Sequence, residues 1–253
     1  NSIREISRDF KHDRKFIKNL LIKNNIKLRT LSQANRTYNL DENIFSNIDT
    51  HQKAYWLGFI SADGSIYKNI LKIGLSSKDR DHSEKFKLFL KSTSPIKTYK
   101  NKCNGKLYET SEFCVHSKII TDDLLKLGLD NKKSTSLKPA KIAKHLLPSY
   151  IRGLMDGDGC YSIMKLKNKT DQLRLNFTGT LDMCNFIMNI LCEELQLNKN
   201  KITKDNRSLI AHYYACGGNN KVKSIVSYLY KNIECESFLE RKYIFLKKHI
   251  PNI

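Results

Sequence analysis

The chain has 253 residues, enough for one large domain or two small ones with a buried core. Its 45 Lys and Arg against 25 Asp and Glu leave a formal charge of +20, the balance of a protein that meets a polyanion. No apolar run approaches the roughly 20 residues that span a bilayer and no signal-peptide pattern opens the chain, so nucleic acid is favoured over a membrane as partner and the expected setting is intracellular.

Residues 1–46 come first and stand apart from the rest of the chain. Ser2 and Glu5 have the spacing of a capping box, which predicts a helix with an apolar stripe of Ile3, Ile6 and Phe10. Lys11-His12-Asp13 breaks it, and Phe16, Ile17, Leu20 and Leu21 form a second stripe beside Arg14, Lys15 and Lys18. Two short helices, the second basic, fit a helix-turn-helix element; a plain helical hairpin fits equally, since the turn has no glycine. Ser32 to Asn47 reads as a polar linker.

From there the chain uses one phrase twice: Trp56-Leu57-Gly58-Phe59-Ile60-Ser61-Ala62-Asp63-Gly64 and Ile151-Arg152-Gly153-Leu154-Met155-Asp156-Gly157-Asp158-Gly159. Each is an apolar helical segment with small residues four apart, Gly58 with Ala62 and Gly153 with Gly157. Such spacing clears a stripe along which two helices approach backbone to backbone. Gly64 and Gly159 are expected to end the helices in a left-handed conformation. Asp63 and Asp158 then lie at the negative pole of a helix dipole, where a carboxylate is disfavoured and a fold gains nothing from it. Paired helices bring the two carboxylates together, and like charges so close call for a cation. Oxygen ligands of this kind suit Mg²⁺, with Mn²⁺ or Ca²⁺ able to substitute in binding.

The segments after the two phrases repeat each other as well. Short candidate strands, Ser65 to Lys68 and Cys160 to Lys165, precede alternating stretches, Leu71 to Ser76 and Leu173 to Thr178. Amphipathic helices come after them, near Ser83 to Lys91 and Asp182 to Leu195. Basic segments are next, Lys97 to Lys106 and Lys199 to Arg207, each expected to hold one more strand. A further strand and a closing helix complete each copy: Leu107 to His116 with Ile119 to Leu127, and Leu209 to Cys216 with Val222 to Tyr230. The pattern predicts an α+β fold of two pseudo-symmetric αββαββα modules, 47–135 and 149–253, joined by a linker at 136–148. They would pack through the two motif helices and form a saddle of antiparallel sheets.

These residues resemble the LAGLIDADG homing endonucleases in the single-chain form with two motifs, over about Asn47 to His249. The third, eighth and ninth motif positions match in both copies and the seventh is small in both. The sixth, commonly acidic in the family, is Asp156 in one copy and Ser61 in the other. The resemblance implies a monomeric, site-specific, Mg²⁺-dependent endonuclease of double-stranded DNA, with Asp63 and Asp158, helped by the carbonyls of Ala62 and Gly157, as metal ligands. It also implies basic residues near the metal, for which position points to Lys133 and Lys242, as well as a setting in an intron, an intein or a free-standing element. Two other readings share the fold: an intron RNA maturase, and a transcription regulator whose mark is loss of the acidic pair. Both acids are present here. No obligate protein partner is expected.

A basic sheet face can enter the major groove, where each base pair shows its own donor and acceptor pattern. The candidate contacts are Lys68, Lys72, Lys100, Lys102, Lys106 and Tyr108 in the first half. In the second they are Lys165, Lys167, Arg174, Asn176, Lys204, Arg207 and His212. Seven cysteines without a C-x-x-C pair argue for reduced thiols rather than a zinc site or a disulfide framework. The histidines show no metal-ligand spacing, with His116 and His212 as further phosphate candidates. Abundant Lys, Asn and Ile suggest the AT-rich genome of a phage or an organelle.

Overall fold

A computed structural model describes residues 2–28, 37–103, 105–130, 136–167, 170–206, 208, 210–233, 237–251 and 253. The chain divides into two compact units, Asn1–Asn39 and Leu40–Ile253. The first holds α1 (Ile3–Asp9) and α2 (Arg14–Lys23). The capping box forms: the Ser2 hydroxyl accepts from the Glu5 amide at 3.1 Å and the Glu5 carboxylate accepts from the Ser2 amide at 2.7 Å. Asp13 caps α2, and Lys11 turns the chain between the helices with φ of 52°.

The second unit opens earlier than the expected linker allows. Ile44, Phe45 and Ile48 are buried in its core, and buried Glu42 accepts a 2.6 Å hydrogen bond from the Ser117 hydroxyl. The apolar residues of this stretch are too sparse to show periodicity, and among so many polar neighbours they resemble a linker.

Each module then has the order expected. The first comprises α3 (His51–Asp63), β1 (Gly64–Tyr67), β2 (Ile70–Ser76), α4 (Arg80–Phe89), β3 (Ile96–Cys103), β4 (Lys106–His116) and α5 (Lys118–Lys126). The second comprises α6 (Leu147–Asp158), β5 (Gly159–Met164), β6 (Gln172–Gly179), α7 (Leu181–Leu195), β7 (Thr203–Lys204), β8 (His212–Gly217) and α8 (Asn219–Tyr230), and α9 (Glu240–His249) is added at the end. The antiparallel sheets have matching orders, β1-β2-β4-β3 and β5-β6-β8-β7. Their registers match as well: Ile73 lies between Gly64 and Phe113 as Phe177 lies between Gly159 and Tyr214.

Alternation decides which sheet face is covered. Leu71, Ile73 and Leu75 of β2, and Leu173, Leu175 and Phe177 of β6, are buried on the helix side, leaving Lys72, Gly74 and Arg174 on the other. Under the first sheet Trp56, Phe86, Phe89 and Phe113 pack edge to face and offset. Under the second, Met183, Ile187 and Leu191 of α7 meet Val222, Ile225 and Val226 of α8 in one continuous core. Among the described residues no helix is long and apolar enough to cross a membrane.

Candidate active site

The centre of the second unit is a pair of helices without a polar face. Every residue from Ala54 to Ala62 in α3 and from Leu147 to Asp156 in α6 is buried. A helix buried all round needs a helix on one side as well as a sheet, and the glycines supply the fit. A methyl group on Gly58 would collide with the Tyr150 carbonyl oxygen and lie 3.1 Å from the Leu154 nitrogen. One on Gly153 would collide with the Tyr55 carbonyl oxygen and lie 2.7 Å from the Phe59 nitrogen, and one on Gly157 would strike the Ala62 side chain. The helices therefore run parallel, with 58 beside 150 to 154 and 62 beside 157, as the small-residue stripe predicts.

Parallel pairing puts both negative poles at one end. There the Asp63 carboxylate lies 3.3 Å from where a Gly157 side chain would begin, one residue from Asp158. Asp63 is half-buried and Asp158 exposed. The expected left-handed glycine caps do not form: Gly64 (φ −73°, ψ 158°) and Gly159 (φ −90°, ψ 163°) are extended and start β1 and β5 directly. Glycine is required for space instead. A side chain at Gly64 would come within 2.7 Å of the Ile60 carbonyl oxygen, and one at Gly159 within 2.5 Å of that of Met155. This sharp exit from helix to strand leaves each aspartate as the last residue of its helix.

Lys242 reaches the same end from α9. Its buried ammonium donates to the carbonyl oxygens of Met155 (2.8 Å), Asp156 (2.6 Å) and Gly159 (2.6 Å), with that of Gly157 at 3.5 Å. Three protons are thereby committed, so Lys242 caps α6 and supplies charge at its negative pole. It thus lies at the end of the helix pair where the resemblance implies a basic residue, held there by backbone carbonyls; only packing decides which side of a helix end a remote lysine enters. Burial lowers its pKa, against the pull of the Asp156 and Asp63 carboxylates. Lys133 lies outside the described residues.

The candidate contacts divide between the outward sheet faces, the opposite parity and the turns. Lys72, Arg174 and Asn176 are on the outward faces, and Lys106 and Tyr108 share the parity of Thr110, Glu112 and Cys114. The basic segment from Lys97 does form a strand, but Ile96 pairs with buried Phe113, so Lys100 and Lys102, both exposed near the hairpin end, share the parity of the helix side. Lys97, Tyr99 and Asn101 face outward in their place. Likewise Lys204 pairs with His212 on the helix side of the second sheet, next to the outward pair Thr203 and Tyr213. Lys68 takes the β1–β2 turn with φ of 52°, Lys165 and Lys167 come after β5, exposed His116 ends β4, and Arg207 lies outside the described residues. Strand register, which turn length sets, decides these faces.

Comparison with known proteins bears on this geometry. Two family models match, the LAGLIDADG endonuclease at residues 151–248 and the LAGLIDADG-like domain at 50–135. The chain belongs to the LAGLIDADG family. Among solved structures it is similar to the meganuclease I-SmaMI bound to uncleavable DNA with a TTGT central four, at 17% identity and a TM-score of 0.55, covering 80% of this chain and 88% of that one. I-SmaMI bound to its uncleaved target in the presence of calcium ions aligns with a TM-score of 0.51, at 17% identity over 79% and 90% of the two chains. I-CpaMI bound to uncleaved DNA gives 0.50 at 15% identity, over 79% and 90%. No curated protein matches the chain.

The two LAGLIDADG motifs diverge at the sixth position for a packing reason. Ser61 turns back to the Leu57 carbonyl at 2.8 Å within its own helix. Asp156 is buried, and its Oδ2 accepts from the Tyr55 hydroxyl and the Leu239 amide, each at 2.8 Å. Tyr55 also meets His82 Nε2 at 3.1 Å. The phenol has one proton and gives it to Asp156, which assigns the histidine Nε2 as a donor. Burial takes the His82 pKa down to about 3 and raises that of Asp156. The chain His82, Tyr55, Asp156, Leu239 thus crosses from one module into the other.

Arg152, the motif residue with no obvious place in a buried helix, is held within the second module. Its guanidinium donates to the carbonyl oxygens of Leu229 (2.5 Å), Ser237 (2.9 Å) and Asn232 (3.2 Å). A cation inside an apolar helical turn was the signal that could have found it. Arg241 with Asp79 at 2.9 Å and Lys85 with Glu240 at 3.3 Å tie the start of α9 to the first module. Lys242→Met is expected to remove the ammonium's hydrogen bonds to the carbonyls of Met155, Asp156 and Gly159 and to lower stability by about 2 to 3 kcal/mol. A melting temperature equal to wild type would show that the cap contributes nothing.

Proposed function

We propose that this LAGLIDADG protein is a site-specific, Mg²⁺-dependent homing endonuclease that acts as a monomer and makes a double-strand break in a long asymmetric DNA target. The observation that carries the reading is the convergence of Asp63 and the Gly157–Asp158 turn at one end of a close-packed parallel helix pair, between two sheets with basic outward residues.

The donor set there fits the metal: Asp63 and Asp158 with the carbonyls of Ala62 and Gly157 offer oxygen only, and few enough atoms to leave room for water and phosphate. Among the described residues no group of three or more His, Cys, Asp or Glu could hold a metal. When bound, Mg²⁺ activates water for in-line attack and stabilises the leaving oxygen. The protein residues do the positioning. The glycine contacts set the separation of the two aspartates, the extended exits at Gly64 and Gly159 keep them at the helix ends, and Lys242 holds the carbonyl end of α6. Lys72, Arg174 and their neighbours neutralise phosphates or meet base edges on either side.

Cleavage of randomised duplex DNA with Mg²⁺, beside a splicing assay on host RNA, tests the reading; splicing without cleavage would assign a maturase instead. Binding is expected to weaken steeply with salt, with a log-log slope of several units. Charge reversal of Lys72 and of Arg174 is expected to weaken opposite halves of one footprint. A slope near zero, or both losses in the same half, would rule out two modules straddling one site.

A further inference from the structure

The outward face of the first sheet holds one carboxylate among its cations, and its neighbours define what it can recognise. Glu112 lies on β4, directly opposite Lys97 of β3 and opposite Gly74 of β2. Its Oε2 is 3.1 Å from the Nζ of Lys72, and its Oε1 accepts from the Cys114 thiol at 3.4 Å. Gly74 has nothing within 4 Å of where its side chain would be, so the surface beside the carboxylate is open. Each carboxylate oxygen has two lone pairs and uses one of them here, which leaves two acceptor positions for a ligand.

Across the three strands the order is Lys72, Glu112, Lys97: donor, acceptor, donor. In the major groove an A·T pair offers acceptor, donor, acceptor (N7, N6, O4), whereas a G·C pair offers acceptor, acceptor, donor (N7, O6, N4). Only the first complements the row, and it does so in either orientation. The 3.1 Å Lys72–Glu112 contact is close to the hydrogen bond of about 2.9 Å that joins the exocyclic groups of either base pair, so the choice falls to Lys97 on the far side of Glu112, which meets N7 beside adenine N6 but no acceptor beside cytosine N4. By register the matching positions in the second module are Asn176, Tyr213 and Thr203, all neutral.

Resting on the DNA-binding reading above, we propose that Lys72, Glu112 and Lys97 select one A·T or T·A pair in the half-site under the first module, and that the order of the three disfavours G·C there. The second module, lacking the carboxylate, applies no such rule at the symmetry-related pair.

The test is the base preference at every position of the target, measured by competition binding at fixed salt for wild type, Glu112→Ala and Glu112→Gln. Wild type should prefer A·T or T·A at one position in the first-module half. Glu112→Ala should lose that preference or move it toward G·C by about tenfold, because two lysines without the acceptor suit guanine. Glu112→Gln should keep it, because an amide also reads adenine, although it removes the same charge as alanine. An unchanged profile in Glu112→Ala, a G·C preference in wild type, or equal changes at all positions in both variants would overturn the proposal while leaving DNA binding intact. Failure of wild type to bind any duplex would overturn the DNA reading itself.

Discussion

Asp63→Asn and Asp158→Asn, made singly, are expected to abolish double-strand cleavage while each protein still folds and binds duplex DNA. Both carboxylates stand at the C-terminal pole of a helix, and the poles are side by side. Neutralising one relieves repulsion with the other and with the helix dipole, so stability should hold or rise by a few tenths of a kcal/mol. On the proposed reading the loss falls on the metal site instead, where a ligand would be removed outright. It should exceed the roughly hundredfold that removal of a supporting group costs a metal centre. Plasmid cleavage at the target, with binding measured in Ca²⁺ alongside, separates the two effects. Cleavage by either variant at the wild-type rate would show that the paired aspartates are not the catalytic centre.

Gly58→Leu and Gly153→Leu are expected to give the largest losses of stability in the chain. Overpacking a core typically costs about 1 to 3 kcal/mol because neighbouring side chains can shift. Here the obstacle is backbone, the carbonyls of Tyr150 and Tyr55, inside a pair of helices that both modules share. The expected cost is about 3 kcal/mol or more, with a fall in melting temperature of about 6 to 12 °C for a domain this large. Gly74→Ala is the control, since no atom lies within 4 Å of the added methyl group. Melting curves in which all three variants match wild type would mean that the motif helices do not pack as described.

Much of this architecture was legible in the linear pattern because its causes are local or repeated. Small residues four apart announce a close helix contact wherever the partner lies, and Leu71, Ile73 and Leu75 alternate because one face of a strand is dry. The second copy of the whole series, 95 residues on, turned each local signal into a paired one. Asp63 and Asp158 were readable for the opposite reason: a carboxylate at the wrong end of a helix has no local explanation.

What the sequence determined by itself was the element order, the helix pairing and the two acidic ends, since these derive from periodicity and residue size. Which lysines face outward was decided by the β3–β4 register, and a shift of one residue there exchanges Lys97, Tyr99 and Asn101 for Lys100 and Lys102. The role of Lys242 was decided by where α9 docks, 84 residues after the end of the helix it caps. Asp156 and Arg152 look alike in sequence, as two charges in an apolar motif, and only the fold shows that one joins the modules through Tyr55 while the other gathers three carbonyls of the second. Burial of a charge depends on distant partners that make it tolerable, and no pattern in the neighbouring residues encodes those.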